Sequence, residues 1–472
     1  MIGTEGLVRF PVRALLVAVA LLLSAGAASP QPVDVPPTWG GDFWDRPRLT
    51  GSWWGLRDEL GKKGVVLDVD ALLTPQGVLS GGKDTGWEFW GNADYTLNVD
   101  TGKLGLWPGG FLKVYGDTSF GDSVLKSSGA IVPVNTMALV PKPNEPTSAL
   151  LNATFTQFLS PKVGLFGGKI FNLDLFKNEF AGDIRNQFMN TAIDIPTTLG
   201  FVPVSAYGGG VVVLPWEGVV LSAVALDASG TTTNNDISEA FDHGAMVTAG
   251  AKVTIKPFGL VGHHTVGGTW SDKTHLSLDQ DPANLAKMLL FERFPRLADP
   301  GPILTQILQR FFPGLLTPVR PLNREDSTWS VYYSFDQYFW HPGGDQKRGI
   351  GMFFNFGASD GNPNPIKYSY AAGIGGNGAV PGRPLDNFGV AWTRTQFSDN
   401  FVPLLRRTLD LGLDHEDAVE IFYNAAITQW LRMSLDLQIV DPALKKTLNS
   451  SGTALTNVDT AVVGGVRMYI RF

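Results

Sequence analysis

A chain of 472 residues with no cysteine has no disulfide scaffold, thiolate-based metal site or thiolate nucleophile. Charged residues make up only 17%, below the quarter or so usual for soluble domains, and the net charge of −7 comes without a basic stripe, which argues against nucleic acid as a partner. Past the first 28 residues no apolar run reaches the about 20 residues of a spanning helix, so a helical membrane protein is excluded too.

The chain begins with the layout of a secretory signal. Arg9 and Arg13 precede the apolar run Ala14–Leu23, and small residues follow at Ser24–Ala28, with Ala25-Gly26-Ala27 as the cleavage motif. Residues 1–28 are expected to be removed on export. Residues 29–63 form an N-terminal segment, rich in Pro and Trp up to residue 54, with a short helical stretch at Trp54–Lys62. Gly64 ends that helix and opens the remainder, 64–472.

From there the pattern is strand after strand. In Val65–Leu73, Val65, Leu67, Val69, Ala71 and Leu73 share one face and Asp68 and Asp70 the other. In Trp87–Asp100, Ala93, Tyr95, Leu97 and Val99 oppose Asn92, Asp94, Thr96 and Asn98. Further strands are expected at Phe111–Asp117, Ala149–Phe158, Val163–Phe171, Ala206–Leu214, Val219–Asp227, Ala245–Ile255 and Gly262–Trp270. After these come Trp329–Phe339, Gly349–Ala358, Lys367–Gly375, Asn387–Phe397, Glu416–Tyr423, Leu431–Ile439 and Thr460–Phe472. Alternation of apolar and polar faces at this strand number predicts an all-β, transmembrane antiparallel barrel of about 16 strands with a water-filled lumen.

The connections alternate in length. Short turns, such as Ser160-Pro161-Lys162 and Pro215–Gly218, alternate with long loops at 118–148, 172–205, 228–244, 271–328 and 398–415. Short periplasmic turns and long outer loops belong to outer-membrane barrels. Within 271–328, Pro282–Arg293 and Pro302–Phe312 look helical, which predicts a loop packed on itself or under the barrel mouth, with a docking surface for another protein as the alternative.

Sites for chemistry are scarce, and the chain is read as a non-enzyme without metal or cofactor. Gly373-Ile-Gly375-Gly376-Asn377-Gly378 matches a dinucleotide fingerprint, but Val380-Pro381-Gly382 follows instead of the required helix. His263 and His264 are adjacent on a strand and point to opposite faces. Asp68 and Asp70 supply two carboxylates where Ca²⁺ wants six or more oxygens. They read instead as part of a polar lumen wall, together with Asn92, Asp94, Lys113, Tyr115, Asn152, Thr154, Lys169, Asp336, Arg394, Glu420, Gln438 and Arg467. Both charge signs mixed with amides and aromatics suit small neutral sugars better than a single-sign ion filter does. A general, non-selective diffusion pore is the alternative.

The final strand carries the outer-membrane address. Val462, Gly464, Val466, Met468, Ile470 and Phe472 form its apolar face, and Val463, Gly465, Arg467, Tyr469 and Arg471 the other. Bacterial outer-membrane barrels often end on such a strand with an aromatic residue. Closing the barrel would set it against Val65–Leu73, with Arg467 and Arg471 approaching Asp68 and Asp70.

Long segments resemble the carbohydrate-selective porin family (OprB type) of Gram-negative outer membranes. They are Gly55–Asp70, Gly91–Gly121, Gly168–Asn190, Phe335–Phe353, Gly382–Trp392 and Glu416–Pro442, with the terminal strand. The resemblance implies passive passage of glucose and related sugars, an outer-membrane setting among lipid and lipopolysaccharide, and a homotrimer. It implies that the helix at Trp54–Lys62 sits at the periplasmic mouth. It also implies that the loop after the fifth strand, 172–205, folds inward and narrows the channel. Asp174, Phe176, Glu179, Asp183, Arg185 and Gln187 lie in that loop, and Asp183 and Arg185 are expected opposite Lys113, Asp94 and Lys169. The long 271–328 connection and the Pro-rich 133–146 stretch depart from the family pattern.

Overall fold

The computed structural model describes residues 35–294, 297, 302–311, 313–401, 410–448 and 453–472, so the expected signal segment 1–28 lies outside the described residues. Sixteen antiparallel strands close into a barrel. They are Val65–Gly82, Gly86–Asp100, Gly110–Gly121, Ser148–Ser160, Val163–Phe171, Ser205–Val213, Val219–Asp227 and Ala245–Ile255 for the first half. The second half is Gly262–Ser271, Thr328–Trp340, Gly349–Ser359, Ile366–Asn377, Asn387–Phe397, His415–Ala426, Leu431–Asp441 and Asp459–Arg471.

Each of these strands overlaps one expected from alternation. The first runs nine residues further than expected, to Gly82. The extension includes Pro75, which has no N–H for a ladder. Here it pairs with Phe89 on one side, while the ladder to the last strand passes from Leu73 directly to Gln76. The first helix starts late, at Leu56 rather than Trp54. Trp53, Trp54 and Gly55 hold φ values of 51°, 56° and 93°, and a left-handed backbone cannot enter a right-handed helix.

Register fixes the inward face. Asp70 pairs with Arg471, Leu72 with Tyr469 and Gln76 with Gly465 across the closing seam. Arg467 is buried inside, and Leu67 on the opposite parity is exposed outside. The arginines that meet Asp68 differ from those expected. Arg48 and Arg57, both in the N-terminal segment, reach its carboxylate at 2.8 and 2.7 Å. Arg57 also donates to the backbone oxygens of Leu67 at 2.9 Å and Phe472 at 3.0 Å. Its guanidinium lies between the rings of Trp39 and Trp53, 5.4 and 4.7 Å from their centroids. Asp70 instead accepts from the Tyr469 hydroxyl at 2.8 Å. Arg467 turns toward the lumen, because buried carbonyls there offer it nearer acceptors.

One rim carries the long connections 122–147, 172–204, 228–244, 272–327, 398–414 and 442–458. Within 272–327, helices form at Pro282–Arg293 and Pro302–Phe311. Asp281 caps the first, accepting from the Ala283 N–H at 3.0 Å. Among the described residues no helix is long and apolar enough to cross a membrane.

Candidate channel constriction

After Phe171 the chain leaves the wall and crosses the lumen before rejoining it at Ser205. Buried polar groups hold it there, since backbone removed from water needs partners. The Glu420 carboxylate accepts from the N–H groups of Met189 at 2.5 Å and Asn190 at 2.9 Å. Asn190 in turn caps the short helix Thr191–Asp194 through the Ala192 N–H at 3.0 Å and donates to Gln438 at 3.1 Å. Arg467 donates to the carbonyls of Ile184 at 3.1 Å and of Gln187. Arg185 reaches Asp94 at 2.6 Å and the Tyr115 hydroxyl at 2.8 Å, and Tyr115 donates to Asp94 at 2.7 Å. On the far wall, Asn355 donates to the Ile193 carbonyl at 3.2 Å and Ser330 to that of Thr198 at 2.7 Å.

Apolar packing completes the seat. Phe180 lies edge-on to Tyr338 with centroids 4.8 Å apart, and Phe188 edge-on to Phe422 at 4.7 Å. Both rings press on wall glycines. A β-carbon at Gly375 would stand 2.8 Å from Phe180 and one at Gly389 2.7 Å from Phe188, and one at Gly351 would collide with Phe180. The Gly-rich run at 373–378 therefore includes a seat for an aromatic ring and no phosphate cradle.

A second segment, from loop 122–147, enters alongside. Glu416 accepts from the N–H groups of Ile131 at 2.9 Å and Val132 at 2.8 Å. Gln438 donates to the Val134 carbonyl at 2.9 Å, Trp90 to that of Met137 at 3.2 Å, and Asn92 to that of Val140 at 3.0 Å. The Thr136 hydroxyl joins the two segments by donating to Asp194 at 2.7 Å. Burial pushes the Asp194 carboxyl up to about 7, with the Thr136 hydrogen bond the first influence opposing it. Asp183 behaves differently. Burial acts to raise it, but Lys177, the Asn186 amide and Arg185 outweigh burial and hold it below the usual carboxylate range.

The two segments pack against the first three strands and, across the closing seam, against the tenth to the sixteenth. On the other side a cavity of about 290 Å³ remains. Phe166, Ile170, Ser222, Thr248, Lys252 and Thr265 line it from the wall, with Tyr332, Ser334 and Asn355 further round. The crossing segment contributes Phe176, Lys177 and Pro196. Phe176 stands edge-on to Tyr332 with centroids 5.5 Å apart. A larger cavity, about 600 Å³, lies in the outer loop around Lys287 and Thr317 and is lined by loop residues alone.

The residues picked out from the sequence divide accordingly. Phe176 lines the cavity. Glu179 lies near it, accepting from the Tyr338 hydroxyl at 3.1 Å, and Asp336 sits 2.8 Å from the His263 ring. Asn92, Asp94, Tyr115, Arg185, Glu420, Gln438 and Arg467 belong to the anchors that hold the inward segments. Asp183 accepts from the Arg185 N–H at 3.2 Å, and Gln187 from the Asp183 N–H at 3.1 Å. Asp68 and Asp70 lie at the seam. Lys113 faces inward in register with Asn98 and Thr154, and Asn152 donates to its carbonyl at 2.9 Å. The Asp174 side chain is outside what is described.

Two of the inward assignments are corrected. Lys169 pairs with Ala153 and Tyr207, while its neighbours Phe166 and Ile170 face the cavity. Its ammonium is roofed by loop 228–244, donating to Thr232 and Asn234 carbonyls at 2.9 and 2.8 Å and to Asn235 at 2.8 Å. Arg394 alternates with the buried Thr393 and Thr395, faces outward, and forms a two-pronged pair with Asp417 at 2.8 and 2.7 Å. Lys177, Lys252, Thr265 and Tyr332 were not picked out. Strand phase was the available signal for Lys252, which shares a face with Thr248 and Thr254.

A family model described as carbohydrate-selective porin, OprB family, matches residues 90–472. Among solved structures, the chain is similar to the high-pH structure of Pseudomonas putida OprB, with a TM-score of 0.72 and 19% identity over 92% of this chain and 100% of that one. The low-pH structure of the same protein gives a TM-score of 0.53 and 15% identity over 91% and 99%. At these identities the structural likeness speaks for the fold. No curated protein sequence matches.

Proposed function

The chain belongs to the carbohydrate-selective porin family, OprB family, and on that premise we propose that glucose and related sugars cross it passively through the gap between the inward segment and the fifth to eleventh strands. It is a carbohydrate porin of the bacterial outer membrane. Family and closed barrel point to a channel rather than an enzyme.

The observation that supports this path is the pairing of chemistries around the 290 Å³ cavity. Phe176 and Tyr332 offer ring faces and edges against which the apolar face of a pyranose can lie. Ser222, Thr265, Ser334 and Asn355 place hydroxyls and an amide around it. Such groups both donate and accept, as sugar hydroxyls do. The cavity is near the lower end, about 300 Å³, of small-molecule sites, which suits single sugar rings. Flux follows the gradient and needs no energy source.

Liposome swelling tests the reading. Mono-, di- and trisaccharides are compared with non-carbohydrate solutes of matching size. Faster entry of monosaccharides supports the path, whereas rates that depend on size alone favour the general diffusion pore. We also propose that the barrels assemble as homotrimers in outer-membrane lipid and lipopolysaccharide. Chemical cross-linking in native membranes that yields monomers alone would count against that assembly.

A further inference from the structure

We propose that Tyr332 sets the width of the sugar passage and that Gly250 and Gly267 position it, so that these three residues decide how bulky a monosaccharide can pass. The proposal rests on the reading of the cavity as the sugar path.

Tyr332 stands in a row of the wall that is half glycine. Interstrand register places Ser222, Gly250, Gly267, Tyr332, Gly357 and Ser369 side by side across the seventh to twelfth strands. None of the three glycines has a φ in the left-handed region, so the backbone does not demand glycine at these positions. Glycine inside a strand weakens it and marks a place where another group comes close.

Each of these glycines has such a neighbour. A β-carbon on Gly267 would stand 2.5 Å from the Tyr332 hydroxyl and 2.6 and 2.7 Å from Cζ and Cε1 of its ring. One on Gly250 would stand 3.2 Å from the same hydroxyl. The Tyr332 side chain therefore runs along the wall, over the ninth and eighth strands, instead of standing up into the lumen. The opposite direction is closed to it. The crossing segment lies over Gly357, where a β-carbon would collide with the Thr198 hydroxyl and stand 3.1 Å from the Pro196 β-carbon. Ser330 and Asn364 hold that stretch by donating to the Thr198 carbonyl at 2.7 and 2.8 Å. Phe176, from the start of the crossing segment, meets the Tyr332 ring edge-on with centroids 5.5 Å apart.

Tyr332, Gly250, Phe176 and Pro196 all line the cavity, whereas Gly267, under the ring, does not. A methyl group on Gly267 would lift the ring by about 1 Å to restore a carbon–carbon contact of about 3.5 Å. The ring would rise into the cavity, since the wall lies beneath it and the crossing segment beside it. In a space this close to the lower end of small-molecule sites, the loss falls first on the bulkier solute.

The test is liposome swelling with glucose and xylose, which share a pyranose ring and differ by one hydroxymethyl group. Gly267→Ala should lower the glucose-to-xylose rate ratio several-fold, and Gly250→Ala should act in the same direction more weakly. Tyr332→Ala added to Gly267→Ala should return the ratio to the wild-type value or above, because the ring that the methyl lifts is gone. A general defect of the wall would not be relieved in this way. Heat-modifiable gel mobility reports whether each variant has folded. If Gly267→Ala does not fold, Tyr332→Ala alone decides, and it should raise the ratio. A folded Gly267→Ala that keeps the ratio, or slows both sugars equally, overturns the proposal. So does a loss that Tyr332→Ala leaves in place, or an unchanged ratio in Tyr332→Ala alone. If Phe176→Ala weakens glucose block of ion current while Gly267→Ala keeps the ratio, the sugar path stands without this role for Tyr332. If neither substitution has an effect, the path itself fails and the proposal with it.

Discussion

The Thr136 hydroxyl donates to the Asp194 carboxylate at 2.7 Å, 58 residues away in sequence, and makes one wedge of two loops. The Thr136 N–H also donates to the Met189 carbonyl at 2.8 Å. A titratable group thus sits at the joint of the constriction.

That joint gives stability a pH dependence of definite sign. The Asp194 carboxyl stands near 7 in the folded protein against an ordinary 3.8. The folded state therefore binds the extra proton between these values. The associated stability is full below the ordinary value and is lost as pH rises through about 7. The melting temperature in detergent should fall across this window, and Asp194→Asn should flatten that part of the profile. An unchanged slope in the variant would assign the dependence to other groups.

Gly375→Ala should disturb the constriction more than the barrel. The added carbon would stand 2.8 Å from the Phe180 β-carbon. Overpacking of this kind costs about 1–3 kcal/mol. The crossing segment carries Phe180, so single-channel conductance should rise and become noisier while the heat-modifiable mobility of the barrel persists.

Arg467→Met should loosen the same segment from the opposite wall. Arg467 is 2% exposed, and its donors serve the carbonyls of Ile184 and Gln187. Removing a buried charge and leaving its partners unsatisfied costs about 3–5 kcal/mol. Protease sensitivity of residues 178–199 should increase, measured by limited proteolysis from the outer side.

Phe176→Ala tests ring recognition by itself. An aromatic contact is worth about 0.5–1.5 kcal/mol. The concentration of glucose that half-blocks ion current should rise a few-fold, with the conductance in salt alone increased by the lost volume. Unchanged glucose block would remove Phe176 from the sugar path.

Much of the architecture was legible because a membrane barrel writes its two solvents into alternate residues. Asn92, Asp94, Tyr95 and Leu97 show it plainly, and the parity at Arg467 held around the whole closed register. The rule that polar means lumen then misplaced Lys169. In its strand the cavity side is Phe166 and Ile170, because apolar groups line the cavity there. The lysine is satisfied on the other face by loop carbonyls that no local pattern announces. Arg394 was misplaced for a related reason, since Asp417 in the neighbouring strand neutralises it on the outer surface. The anchors were invisible as anchors. Arg467 meets Ile184 across 283 residues, and Glu420 meets Met189 across 231, so alternation could give their direction and nothing of their partners.

The wedge occupies one side of a sixteen-strand cylinder and leaves the throat on the other. Strand number therefore sets the size of the frame, and loop thickness sets the aperture. Frame and aperture can change independently: shortening residues 172–204 would widen the bore with every interstrand ladder kept, and a lineage could refit the throat to a new solute without rebuilding the wall.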